Sequence, residues 1–137
     1  MSDAPTTVAD TQERLVGLLE AVGVPTERTA DGNFAIPHGP TTVTLAVSQP
    51  DERIALDIWA PVVDDAPLGP DLFRYATETS FLFGRLCVAP LGDGRGQLQL
   101  CHTMLADPLD QEILVQCLGT VANTAADLAT ELGGRFT

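Results

Sequence analysis

Lysine is missing altogether from these 137 residues, so seven arginines stand against 19 acids and the net charge is −12. A surface this acidic repels phosphate backbones and anionic lipid, which excludes nucleic acid and membrane surfaces as natural partners. Aromatic residues are scarce as well, with one tryptophan and one tyrosine. Three widely spaced cysteines and two histidines form neither a disulfide framework nor a zinc pattern, so no metal or cofactor is expected. Serine-nucleophile elbows, metalloprotease helices, phosphate loops and paired carboxylates do not occur, and an enzyme is not expected. The first residues, Met1 to Thr7, hold neither a basic region nor an apolar run. They read as a flexible tail without a signal peptide, ahead of a single domain over 8–137. The longest apolar-leaning run, Ile113 to Ala126, is too short and polar to cross a bilayer. A cytoplasmic chain with reduced thiols is the expectation.

What the chain does have is amphipathic pattern. Leu114, Leu118, Val121, Ala125, Leu128 and Leu132 recur at steps of four and three, one face of a helix, and Ile113 and Cys117 widen that stripe. Asp107 as cap, Pro108 in the first turn and Gly133-Gly134 as stop predict a helix over 107–134, roughly 37 Å long. A first helix is predicted from Asp10 and Glu13, read as a capping box, followed by Leu15, Leu18, Leu19 and Val22.

Between these helices the period falls to two. Phe34 and Ile36, then Val43, Leu45 and Val47, then Ile54, Leu56 and Ile58 alternate with small or polar residues. A turn centred near 39.5 pairs Ile36 with Val43; one near 50.5 pairs Leu45 with Leu56 and Val43 with Ile58. Both registers place the large aliphatics on one face of an antiparallel meander. Residues 64–70 read as a loop, and Pro70 opens a short helix to about Thr79. Strands follow over 81–90 and 97–104, joined by a glycine-rich turn at Gly92–Gly96. Centring that hairpin on Gly94 pairs Leu86 with His102 and Cys87 with Cys101. The expected fold is α+β, two-layer: an antiparallel five-stranded sheet with helices on one face, in the order α-β-β-β-α-β-β-α.

The reverse face would carry Thr44, Asp57, Trp59, Arg85, Cys87, Gln99, Cys101 and Thr103, with Trp59 its conspicuous apolar member. Cys87 and Cys101, as cross-strand neighbours, read either as two small apolar side chains or as a redox pair. His38 reads as a solvated turn residue, and His102 as an edge-of-core residue. Leu72, Phe73, Tyr75, Phe81 and Phe83 concentrate large side chains within twelve positions. Core and partner surface account for them equally, because strand parity sends Phe81 and Phe83 to the polar face.

With that order of elements, the stretch Phe81-Leu-Phe-Gly-Arg-Leu, the hairpin from Gly92 to Leu100 and the ending Leu132-Gly-Gly, the chain resembles the type III secretion chaperone-like superfamily, which includes YbjN-like domains. The resemblance spans about residues 10–134. It implies a non-enzymatic homodimer that holds peptide segments of a client protein, dimerising through the second helix and the neighbouring strand. Those positions are Leu72, Phe73, Ala76, Phe81 and Phe83, and the face around Trp59, Thr44 and Asp57 would touch the peptide. The alternative it implies is a stand-alone YbjN-like regulatory or small-ligand-binding module.

Overall fold

A computed structural model describes residues 7–81, 83–107 and 109–136. The tail expected at 1–7, except Thr7, and the expectations for Leu82 and Pro108 therefore lie outside the described residues. Nine elements follow one another among the described residues: α1 (Val8–Ala21), β1 (Glu27–Arg28), β2 (Phe34–His38), β3 (Thr41–Ser48), β4 (Ala55–Pro67), α2 (Pro70–Glu78), β5 (Arg85–Gly92), β6 (Arg95–Leu105) and α3 (Gln111–Glu131). The strands form one antiparallel sheet in the order β1-β2-β3-β4-β6-β5. Six strands stand where five were expected. The addition is β1, whose two exposed residues pair with Phe34 and Ala35 and are too few to show a period.

Both long helices start where a side chain can satisfy their free amides. At α1 the Thr7 hydroxyl accepts from the Asp10 amide at 3.1 Å, and the Asp10 carboxylate accepts from the Thr7 amide at 3.2 Å. The capping box is thus Thr7 with Asp10 instead of Asp10 with Glu13, and the helix gains a turn that buries Thr11. At α3 the cap is Asp110, not Asp107: its carboxylate accepts from the Ile113 amide at 3.0 Å. The helix is accordingly about 31 Å long. Leu109, just before it, is buried, and its carbonyl accepts from Arg14 Nε at 2.9 Å, tying α3's entry to α1. Ile113 leaves the expected stripe and is 51% exposed; Leu114, Cys117, Leu118, Val121, Ala122, Ala125 and Leu128 are the buried set.

Strand register shows one exact agreement and two slips. Ile36 pairs with Val43 and Phe34 with Leu45, as expected. Across β3–β4, Leu45 pairs with Ile58 and Val47 with Leu56, two residues from the expected partners. The cause is the loop: the Arg53 amide donates to Asp51 Oδ1 at 2.7 Å, and Ile54 drops out of the ladder to receive the Ala106 amide on its carbonyl at 2.9 Å. Across β5–β6 a two-residue turn, Asp93-Gly94, has positive φ at both positions, 55° and 73°, and Gly92 pairs with Arg95. A bulge at Leu91 then sets Leu86 opposite Leu100 and Val88 opposite Leu98. Cys87 therefore faces Gln99, and Cys101 faces Arg85, correcting the expected Cys87–Cys101 pair. Each slip is of two residues, which preserves the face of every side chain.

Two strand ends also differ. β4 continues through the expected loop to Pro67, with irregularities after Pro61 and Val63 that disguise its alternation. β5 starts at Arg85, not Phe81, because Gly84 takes φ +93° and breaks the extended run. The aliphatic face of the sheet, with Val43, Leu45, Leu56, Ile58, Leu98 and Leu100, packs in one core with Leu15 and Leu19 of α1, Leu72 of α2 and the α3 stripe. α3 lies against β2, β3, β4 and β6, α1 against β3, and α2 against β5.

Gly84 yields a stability prediction. A Cβ there would sit 3.1 Å from the Cys101 carbonyl oxygen, in a backbone conformation that L-residues avoid. Gly84→Ala should lower stability by about 1–3 kcal/mol. In urea titration the midpoint should fall with an unchanged slope; an unmoved midpoint would show that the break does not need glycine.

Candidate functional site

Alternation along the strands sends a second set of side chains away from the core. On this open face Trp59 of β4 stands between Thr44 of β3 and Cys101 of β6, and all three are half-buried. The neighbouring row is Ala46, Asp57 and Thr103, where the Thr103 hydroxyl donates to Asp57 Oδ1 at 2.7 Å. Gln99 Nε2 donates to Gln97 Oε1 at 2.6 Å one row further on. Asp57, Trp59, Arg85, Gln99, Cys101 and Thr103 line a shallow depression of about 260 Å³. None of the named face residues is fully buried. The expected contact residues Trp59, Thr44 and Asp57 thus stand together on one uncovered surface.

The side chains of this face are polar and hydrogen-bonded to one another. Cys101 is pushed up to about 12, first by burial and then by a hydrogen bond with the Cys87 thiol, so it stays protonated at neutral pH. A protonated thiol is a poor nucleophile and a poor metal ligand. Among the described residues no group of three or more His, Cys, Asp or Glu side chains is placed to hold a metal. His102 is on the core side of β6, where its ring lies 4.0 Å from that of Phe83. Burial first, and then the Arg85 charge, hold it below its ordinary value of 6.5. His38 Nε2 donates to Asn123 Oδ1 at 2.9 Å, fastening β2 to α3.

The second expected cluster is divided. Leu72 is 1% exposed and belongs to the core, whereas Phe73, one position on, is 48% exposed. Ala76, Phe81 and Phe83 are half-buried and pack against the core's edge. Phe83 reaches His102 and hence the core side; strand parity assigned it to the open face only because that parity was carried across Gly84. β5 ends the sheet and pairs with no further strand among the described residues.

A further aromatic cluster joins α2 to the residues after α3. After α3 the chain turns back, and Phe136 meets Tyr75 of α2 edge-on at 5.7 Å, while the Arg135 guanidinium lies 4.8 Å from the Tyr75 ring and 5.3 Å from the Phe136 ring. The signal available was an aromatic residue just beyond a glycine stop.

The model of the family described as T3SS (YopN, CesT) and YbjN peptide-binding chaperone 1 matches residues 10–137. The chain belongs to that family. Solved structures share the fold of this chaperone family member at low identity. YbjN, a putative transcription regulator from E. coli, matches with a TM-score of 0.64 and 12% identity, covering 98% of this chain and 96% of its own. A chain of the ExsC–ExsE complex matches with 0.64 and 22% identity, covering 90% and 93%. A chain of the HopA1–SchA chaperone–effector complex matches with 0.62 and 11% identity, covering 92% and 99%. No curated protein sequence matches the chain significantly. Among the described residues no helix is long and apolar enough to cross a membrane.

His102 makes this family member's stability sensitive to acid. The unfolded chain takes up a proton near 6.5, and the folded chain resists it. The unfolded state then binds more protons, so stability falls as pH drops below 6.5. His102→Gln should flatten this part of a plot of urea midpoint against pH. A His102 ring-proton titration by NMR should have its midpoint below 6.5, and one at or above that value would refute the shift.

Proposed function

We propose that this chain is a non-enzymatic, homodimeric chaperone that holds an extended segment of a client protein in the cytoplasm. The observation that carries the reading is the match of the peptide-binding chaperone family over residues 10–137, on a fold that leaves one sheet face and the β5 edge open. An extended peptide can add to a sheet edge through its backbone while side chains settle in adjoining hollows. β5 is such an edge, and the Trp59 depression lies beside it on β4 and β6. Trp59 is the residue type that most often anchors a partner. The net charge of −12 favours a client segment of basic or neutral character. Phe73, projecting from α2, is the side chain in the expected dimer contact with apolar surface still to bury.

Two measurements test this. Light scattering across a concentration series should give twice the 14.5 kDa chain mass, and Phe73→Arg should return the chain mass with unchanged circular dichroism. A monomer at high micromolar concentration would overturn the dimer. Trp59→Ala should weaken capture of a co-expressed client by at least about tenfold, the effect of losing an interface anchor; undiminished capture by a folded Trp59→Ala chain would remove the open face from the binding surface.

A further inference from the structure

We propose that the Trp59 depression selects client segments with an acidic residue two positions from an apolar one, seating the apolar side chain on Trp59 and the carboxylate on Arg85. The inference rests on the peptide-binding reading and specifies which segment the open face takes.

Arg85 is a cation with nothing to hold. Elsewhere, Arg53 and Arg95 pair with Asp51 and Asp65, Arg14 donates to a backbone carbonyl, and Arg28 and Arg135 lie over aromatic rings. The Arg85 guanidinium has no ion-pair or hydrogen-bond partner among the described residues, although the chain carries 19 acids. Asp57, the acid in the same depression, instead accepts from the Thr103 hydroxyl at 2.7 Å. Arg85 is exposed, yet its charge bears on both Cys101 and His102, two β6 residues that line the depression. It therefore stands beside Trp59, available to an anionic group that arrives with a ligand.

The register sets the spacing. Arg85 pairs with Cys101 across β5–β6, and Cys101 with Trp59 across β6–β4, so the three form one row over adjacent strands. With strands about 4.8 Å apart, the Arg85 and Trp59 backbones are about 10 Å apart. Side chains two positions apart on an extended segment point the same way and are separated by about 7 Å. The flexible arginine stem, leaning over Cys101, closes the remainder. Cys101 between them stays protonated and adds no competing charge. A segment crossing the row can thus lay an aliphatic or aromatic side chain on Trp59. Its acid, two positions nearer β5, then meets the guanidinium, whose forked donors suit a carboxylate. A basic residue at that position would face a like charge. The rest of the segment stays basic or neutral, as the net charge of −12 favours, and the acid is a local exception that Arg85 makes.

The test selects random 12-residue peptides, displayed on phage, against the unaltered chain and against Arg85→Glu. The unaltered chain should enrich Asp or Glu two positions from a large apolar residue by about threefold over the starting library, the worth of an exposed ion pair. The Arg85→Glu chain should enrich Lys or Arg at that position instead. The same preference from both chains, or no enriched peptide from either, would overturn the proposal. Should Arg85→Glu fail to fold, Arg85→Gln decides: its selection should lose the acid preference, and keeping it would be equally fatal. An enriched peptide, labelled with fluorescein and followed by anisotropy, then gives the coupling. Replacing its acid by the amide should weaken binding about threefold to the unaltered chain and leave binding to Arg85→Gln unchanged. Equal losses on both chains would place the acid elsewhere. Capture of a co-expressed client that needs Trp59 but ignores Arg85→Gln would sink the acid preference and spare the chaperone reading. Selected peptides that depend on Arg85, without any captured client, would support the site and count against that reading.

Discussion

The fold depends on one burial: the apolar stripe of α3 against the aliphatic face of the sheet. Leu114, Leu118, Val121, Ala125 and Leu128 meet Val43, Leu45, Leu56, Ile58, Leu98 and Leu100 in a single cluster, to which Leu15, Leu19 and Leu72 add the other two helices. Removing the α3 stripe from water contributes on the order of 10 kcal/mol before the entropy of ordering is subtracted. Because α3 reaches across β2, β3, β4 and β6, one helix commits four strands to a common face. Every side chain of opposite parity is thereby turned outward.

That division leaves one face of the sheet open. The outward face is polar and hydrogen-bonded within itself, through Thr103 with Asp57 and Gln99 with Gln97, around the half-buried ring of Trp59. Burial first keeps the Cys101 thiol protonated, which makes it a poor nucleophile. Membership of a peptide-binding chaperone family fits such a surface, which offers shape, backbone edge and acidity in place of reactive groups.

A second surface arises where the elements end. α2, the far end of β4 and the residues after α3 converge, and Tyr75, Arg135 and Phe136 stack there. Tyr75 is far from Arg135 and Phe136 in the chain. The route of α3 back across the sheet brings the residues after it to α2.

Periodicity by itself determined much of this protein. Helical spacing over 114–132 and alternation over 34–58 defined the buried faces, and the two-layer antiparallel architecture follows from their having to meet. Face assignments survived both register errors because each slip was of two residues, and parity is blind to a slip of two. The tertiary structure decided what parity cannot carry. It set the register, through the Asp51–Arg53 loop and the bulge at Leu91, and so placed Cys87 opposite Gln99. It broke the strand at Gly84, where a positive φ turns Phe83 to the core side. It also recruited β1, too short to show a pattern, and seated Phe136 on Tyr75, a contact between side chains far apart in the chain. Local pattern records which face a residue takes within its own element; where elements stop, bulge or meet, long-range packing chooses the partners.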